Sequence, residues 1–398
     1  MLIPNREYAK LKESYLFRRI AEKTDAFQKE HPELPIYRMG IGDVTLPLCD
    51  AVISALHEAV NEQSRAETFQ GYQPECGAPF LRQAIADHYA NRGVLLEPDE
   101  VFVSSGASDE LSDLLDLFDR SNTAMIMEPA YPAYVDTSIM TGRPIVRRSA
   151  NMENGFLPMP DERMKADLIY LCSPNNPTGA VYTRTQLQQW VDYANACGAV
   201  ILFDAAYEAY IEDAEIPHSI YELSGAKTCA IEICSLSKTA GFTGTRLGYT
   251  VVPKALTRDG MHLNAMWVRN RTTRTNGVSY ILQKGAAAVF TAKGQLEIAG
   301  QLRYYKQNAG ILMQALDAAD VWYTGGKNAP YLWMKCPNGM DSWTFFDRLL
   351  KEIQVVGTPG DGFGACGKGF FRFSTFGSRR DTEIAAQRLT RLLQAWIN

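Results

Sequence analysis

A chain of 398 residues is long enough for two to three domain-sized units, or for one large α/β core with a smaller companion. With 46% hydrophobic, 11% aromatic and 21% charged residues, the composition excludes a disordered chain, and the net charge of -5 gives no footing for nucleic acid or an anionic membrane as partner. No stretch approaches the roughly 18 consecutive apolar residues of a membrane span, and MLIPNREYAKLKESYLF lacks a secretory apolar core, so a soluble cytoplasmic protein is expected. The eight cysteines form no CxxC pair and no metal-type spacing with histidine; Cys172, Cys197, Cys229 and Cys234 sit in or beside apolar runs and are expected to be reduced core residues, with no metal site.

In chain order, AMIMEP (124–129), DLIYLCSP (167–174), AVILFDAAY (199–207), CAIEICSLS (229–237) and RLGYTVVP (246–253) read as buried strands. QLQQWVDYANACG (186–198) spaces Leu187, Val191 and Ala194 as a helix and stops at Gly198. Buried strands alternating with helices imply a largely parallel sheet covered on both faces, with ligands beyond the carboxyl ends of the strands. Arg269, Arg271 and Arg274 fit one face of a short helix or an interface. The segment 280–316 is expected to contain a connecting helix. Beyond it, PYLWMKCP (330–337) and FFRFSTFG (370–377) read as strands, and SWTFFDRLLKEI (342–353) and DTEIAAQRLTRLLQAWI (381–397) as amphipathic helices. The expected division is a large domain over 45–282 and a smaller α+β domain built from 1–44 and 283–398. DGFGACGKG matches GxGxxG spacing, but a strand-like FFRFS follows it where a dinucleotide fingerprint needs a helix, so it reads as a turn.

Five features fall at the ends of the predicted strands. VFVSSGASDELSDLL puts Gly106, Ala107 and Ser108 at a helix start, either as an ordinary cap or as a phosphate cup. EPAYPAY places Tyr131 in a proline-bracketed turn, where it can stack on a flat ring or pack. CSPNNPTG is a polar turn in which Asn176 is the best placed donor. LFDAAY brings Asp204 out of an apolar strand, which is costly unless the carboxylate meets a cation, with Tyr207 three residues on. CSLSKTAGFTGTRLGY sets Lys238 among small residues and follows it with Arg246, a second phosphate candidate. A lysine, a carboxylate, a phosphate cup and a stacking aromatic together suit pyridoxal 5′-phosphate: the lysine amine condenses with the aldehyde and the carboxylate keeps the ring nitrogen protonated.

These strings, with GFFRFS (369–374), resemble the class I/II aminotransferases of the fold type I pyridoxal phosphate enzymes over nearly the whole chain. YLF (15–17), MGIGDVTLPL (39–48), ETFQGYQPECG (67–77), YPAYVDT (131–137), RTNGVS (274–279) and GGKNAPYLWMK (325–335) resemble the LL-diaminopimelate aminotransferase branch. The resemblance implies an α/β fold, a homodimer with shared active sites, and amino transfer between LL-diaminopimelate and 2-oxoglutarate through Lys238. It implies that Tyr72 reaches the phosphate of the neighbouring subunit's cofactor, and that Ala107, Ser108, Ser235, Ser237 and Arg246 line the phosphate. Tyr131 would stack on the ring, Asn176, Asp204 and Tyr207 would set its electronics, and Arg372 would clamp the substrate α-carboxylate. Tyr15, Gly42, Glu75 and Asn276 would form the distal pocket, with Tyr15, Glu75 and Asn276 coming from the partner; Ser108, Tyr131 and Asn176 would also face substrate.

Five positions depart from that branch: Ser108 stands where it usually has lysine, Leu46 where it has arginine, Leu236 where it has phenylalanine, and GYQPECG, with Gln73 and Cys76, replaces GYGPEQG. The missing lysine removes a positive charge expected near substrate. This leaves transfer from another amino acid (lysine, an aromatic or a neutral one) as the nearest alternative, and a pyridoxal phosphate lyase as a more distant one.

Overall fold

The apolar runs that follow one another along the middle of the chain become adjacent strands of one sheet. The computed structural model describes residues 2–11, 15–40 and 42–397; Ile41, inside the MGIGDVTLPL string, lies outside them. From the N-terminus come α1 (Leu16–Glu30), β1 (Tyr37–Arg38), α2 (Asp50–Gln63), α3 (Pro79–Ala90), β2 (Val101–Ser104), α4 (Ala107–Asp113), β3 (Ala124–Glu128), α5 (Pro132–Met140), β4 (Ile145–Ser149) and β5 (Leu168–Cys172). They continue with α6 (Arg184–Cys197), β6 (Val200–Asp204), β7 (Ala230–Ser235), α7 (Leu236–Ala240), β8 (Gly248–Val251), a small hairpin of β9 (Thr257–Arg258) and β10 (Met261–His262), α8 (Leu263–Arg274), α9 (Tyr280–Val289) and α10 (Ala292–Asp317). The chain ends with β11 (Tyr323–Gly325), β12 (Tyr331–Lys335), α11 (Ser342–Arg348), β13 (Val355–Val356), β14 (Thr358–Pro359), β15 (Phe370–Ser374) and α12 (Arg379–Ile397).

The seven-stranded sheet has the order β2-β8-β7-β6-β5-β3-β4. Its pairs are parallel from β4 through β7, and β8 alone runs against both of its neighbours. The reversal has a consequence for the site. Ser104, Gly248 and Ser235 lie in register across β2, β8 and β7, so the start of β8 shares an edge with the carboxyl ends of the other strands. Arg246 therefore enters at the edge where Lys238 leaves. β4 carries IVRRS, half-exposed and without an apolar run, which is why the sequence pattern passes over it. On α6, Thr183 caps the helix and bonds the Gln186 N–H, and Gly198 ends it at φ 76°, a conformation suited to glycine. Leu187, Trp190, Val191 and Ala194 lie on its buried face.

A second sheet, β11-β12-β15-β14, is antiparallel, and β1 pairs in parallel with β13, which ties the N-terminal segment to the C-terminal part of the chain. Phe27, Tyr37 and Met39 join a core there with Leu312, Phe345, Phe371 and Leu393. The segment 280–316 forms two helices, because Thr291 caps a new start by accepting the Gly294 N–H at 3.1 Å. The 342–353 segment keeps α-helical bonding only to Arg348 and widens into a π-type turn over Leu349–Ile353. DGFGACGKG forms two short turns ahead of β15. The arginine cluster lies on α8, where buried Arg271 meets Glu110 at 3.2 Å and Asp113 at 3.4 Å and so fastens α4 to α8. Cys197 departs from expectation: as the last residue of α6 it is exposed, whereas Cys172, Cys229 and Cys234 are buried.

Trp190→Ala removes the largest side chain between α6 and the sheet and is expected to lower unfolding stability by about 3–5 kcal/mol. Thr183→Ala, which removes only the cap, is expected to cost about 1 kcal/mol. Urea midpoints of the two variants check the ranking.

Candidate active site

At the carboxyl edge of the large sheet lies a cavity of about 450 Å³, lined from one side by Ala107, Ser108, Tyr131, Asn176, Asp204, Tyr207, Ser235, Ser237, Lys238 and Arg246, and from the other by Gly42, Tyr331 and Arg372. The antiparallel sheet supplies Arg372 from β15 and Tyr331 from β12, so the cavity is built where the two sheets face each other.

Lys238 sits on α7, directly beyond β7, half-buried and with no hydrogen bond from its amine to a described residue. Burial pulls its ammonium from the ordinary 10.5 down to about 8; the carboxylate of Asp43 opposes the shift, and the positive charges of Arg246 and Arg372 add to it. Gly241 ends α7 in the left-handed region at φ 80°. A side chain on Gly248 would place its Cβ 2.7 Å from the Cys234 carbonyl, so glycine there lets β8 lie close to β7. Gly244 has open space around it and needs no such account.

Asp204 ends β6 and is buried. Tyr134 donates to one carboxylate oxygen at 2.5 Å and the Ala206 N–H to the other at 3.0 Å, but no described cation pairs with it. Burial pushes its carboxyl up, and the two donors pull the other way. Tyr207 accepts from Tyr331 at 3.0 Å and from the Asn176 amide at 3.4 Å.

The cup at the start of α4 depends on Gly106. Its φ is 135°, and a Cβ there would lie 2.5 Å from Arg246 Nη2, so only glycine lets the guanidinium rest beside the helix start. Arg246 donates to Ser237 Oγ at 3.3 Å, and Ser235 Oγ accepts the Ser237 N–H at 3.2 Å. Hydroxyls, a guanidinium and free helix N–H groups thus converge on one end of the cavity, an arrangement suited to a phosphate. The Ser108 and Tyr131 hydroxyls stand 3.5 Å apart at its edge.

Arg372 is 1% exposed and has no carboxylate partner among the described residues. Its guanidinium donates to Asn176 Oδ1 at 2.6 Å, to the Gly40 carbonyl at 2.8 Å and to Thr358 Oγ1 at 3.3 Å, and stacks 4.3 Å from the Tyr331 ring. Burial lowers its pKa. The cavity therefore holds a buried anion that lacks a cation and a buried cation that lacks an anion.

Residues 35–389 match the family described as Aminotransferase class I and II. The chain belongs to the class I and II aminotransferases. Among its relatives, an LL-diaminopimelate aminotransferase of Lachnospira eligens is 48% identical, covering 98% of this chain and 99% of that one. One from Parabacteroides distasonis is 47% identical over 99% and 100% of the two chains. The solved L,L-diaminopimelate aminotransferase of Chlamydomonas reinhardtii superposes with a TM-score of 0.93 at 38% identity over 98% of both chains. A Thermus thermophilus aspartate aminotransferase mutant shares the fold, at a TM-score of 0.86 and 22% identity over 98% of this chain and 100% of that one. The α/β architecture is that of the fold type I aminotransferases, a family that depends on pyridoxal phosphate.

The structure gathers most of the expected aminotransferase residues and leaves others apart. Tyr15 precedes α1, contacts Tyr131 and feels the charge of Arg372 within the same chain, so one chain already brings it to the cavity mouth. Tyr72, Glu75 and Asn276 do not line the cavity. The 275–278 loop packs on the 73–74 backbone, since a Cβ on Gly277 would meet the Gln73 carbonyl at 2.5 Å; Tyr72, Glu75 and Asn276 thus share one surface, where Tyr72 is 89% exposed. Sequence reading missed Tyr134, Tyr331, Asp43 and Arg38 as cavity residues. Tyr134 and Tyr331 lay inside strings already singled out, but nothing local to them shows that their hydroxyls turn toward Asp204 and Tyr207.

In cofactor-free protein, the rate at which a small aldehyde labels Lys238 is expected to rise with pH through an inflection near 8 rather than 10.5. Arg246→Gln removes a positive neighbour and is expected to move the inflection up; Asp43→Asn removes a negative one and is expected to move it down. Peptide mapping of the label across pH checks all three.

Proposed function

We propose that this chain is a pyridoxal 5′-phosphate-dependent aminotransferase that moves an amino group between LL-diaminopimelate and 2-oxoglutarate. The observation that carries the reading is the pairing of deficits in one cavity: among the described residues, Asp204 is buried without a cation and Arg372 without a carboxylate, and the Lys238 amine beside them has no hydrogen-bond partner. A protonated ring nitrogen suits Asp204, an amino-acid carboxylate suits the Arg372 fork, and a phosphate suits Ser235, Ser237, Arg246 and the α4 N-terminus. Bound there, the cofactor supplies an aldehyde that condenses with amines and a ring that takes up an electron pair. Lys238 would hold the cofactor and, as a free amine, would carry the proton away from and back to substrate; with its pKa lowered to about 8 it is neutral often enough to act as that base. Asp204 would keep the ring nitrogen charged, Tyr207 and Asn176 would hold the ring oxygen, and Tyr131 would cover the ring face.

The choice of donor rests on the relatives, two of which are named LL-diaminopimelate aminotransferases at 47–48% identity over nearly full length. We place Glu75, with Asn276, opposite the distal ammonium of the substrate, reaching the cavity from a second copy of the chain, as Tyr72 reaches the phosphate. Support for a homodimer comes from the surface that carries them. Phe69 at 62% exposed, Tyr72 at 89% and Val60 at 51% leave apolar area uncovered beside a groove lined by Pro74, Phe80 and Tyr280. No helix among the described residues is long and apolar enough to cross a membrane, and we assign the protein to the cytoplasm. The domain division at 45–282 fits the same reading, with one part holding the cofactor and the other delivering Arg372.

Lys238→Ala is expected to abolish turnover while cofactor is still held noncovalently, and borohydride reduction should label Lys238; a label on Lys254 or Lys335 would overturn the assignment. Asp204→Ala is expected to cost several kcal/mol of transition-state stabilisation, read as kcat/KM. Glu75→Gln is expected to raise KM for diaminopimelate far more than for glutamate, and Ser108→Lys to raise diaminopimelate activity. An unmodified enzyme that prefers a monoamino acid, unaffected by Glu75→Gln, would leave transamination standing and remove diaminopimelate as the donor.

A further inference from the structure

Both substrates of the proposed reaction carry two carboxylates, and a carboxylate taken out of water needs a cation or several donors. Among the described residues, four cations line the cavity: Arg38, Lys238, Arg246 and Arg372. In the proposed reading Lys238 holds the reacting amine, Arg246 bonds Ser237 beside the phosphate cup, and Arg372 takes the α-carboxylate. Arg38 is left. It has no hydrogen bond or ion pair to a described residue, and burial is not its reason for being there, because it is exposed at the cavity's end.

Its direction follows from the strand that carries it. Tyr37 turns into the core between the C-terminal sheet and α12, where it stacks under Arg388. Alternation then sends Arg38 to the opposite face, which it shares with Gly40. The Gly40 carbonyl accepts from Arg372 Nη2 at 2.8 Å. Residues two apart on a strand are separated by roughly 6.6 Å, so Arg38 lies one strand repeat from the carbonyl that Arg372, reaching over from β15, bonds. Pairing with β13 fixes that segment: the Tyr37 N–H bonds the Gln354 carbonyl at 2.8 Å and the Met39 N–H the Val356 carbonyl at 2.7 Å. Ser108, which stands where related enzymes would place a lysine, offers only a hydroxyl, so the positive charge for a second acid group must come from elsewhere.

We propose that Arg38 is a specificity-determining residue that pairs with the second carboxylate of a dicarboxylic substrate, while Arg372 holds the first. The proposal rests on the reading of the cavity as an aminotransferase site for diacids. Arg38 offers a long side chain at the cavity's edge for that contact.

The test is calorimetric titration of the holoenzyme with glutarate, a five-carbon dicarboxylate, and with butyrate, its monocarboxylate counterpart. The unmodified protein is expected to bind glutarate more tightly. Arg38→Gln is expected to weaken glutarate about five- to tenfold, the range for a partly exposed ion pair, and to leave butyrate unchanged; Arg38→Lys, which keeps the charge, should recover most of the loss. KM for 2-oxoglutarate should rise by a similar factor with kcat little altered. Unchanged glutarate binding in Arg38→Gln, or equal weakening of glutarate and butyrate, overturns the proposal. The wider reading is tested apart from it by turnover of the unmodified enzyme with diaminopimelate. Discrimination between glutarate and butyrate that depends on Arg38, without such turnover, would keep Arg38 and discard the proposed donor.

Discussion

Charge removed from water without a partner is the constraint around which this molecule is arranged. Asp204 ends a buried strand and, among the described residues, is met only by a phenol and a backbone amide. Arg372, nearly inaccessible, is met by an amide oxygen, a carbonyl and a hydroxyl. Such groups are tolerable when hydrogen bonds hold them in place, and they become favourable when a complementary ion arrives. The donors and acceptors around them serve that end: they orient each charge without neutralising it.

Delivery of these groups to one place is a property of the sheet. Parallel strands put Cys172, Asp204 and Ser235 at the same edge, and the segments that follow them carry Asn176, Tyr207 and, on α7, Lys238. The one reversed strand, β8, contributes from its beginning rather than its end, which sets Arg246 beside the others. Close approach is possible because Gly106 and Gly248 have no side chain where a guanidinium and a carbonyl lie. Rigidity comes from behind: the buried Arg271 to Glu110 pair ties α4 to α8.

The opposite wall belongs to the C-terminal sheet and to the N-terminal segment that pairs with it. Arg372 bonds both Asn176, from the large sheet's edge, and Gly40, from the N-terminal segment. One side chain thus bridges three parts of the chain that are far apart in sequence, and the fit of the two walls is coupled to the orientation of its guanidinium. Ser108, in the first turn of α4, brings a hydroxyl and no charge to the cavity's edge, 3.5 Å from the Tyr131 hydroxyl.

Much of this was legible in order along the chain. Continuous apolar runs marked β3, β5, β6, β7 and β8 because a strand covered on both faces must be apolar throughout. Lys238, Asp204, Arg246 and Asn176 stood out because polar groups so placed have no ordinary use at the end of such a run. β4 was silent, since an edge strand with exposed arginines carries no run. Tyr134, Tyr331 and Arg38 were silent for a different reason: their importance lies in what they face, and what they face is 70, 124 and more than 300 residues away. Local pattern therefore determined which strands form and which residues bear chemistry. Only the tertiary structure decided which hydroxyl meets Asp204, and which cations and carboxylates share one cavity. Those pairings depend on long-range packing that no local spacing encodes.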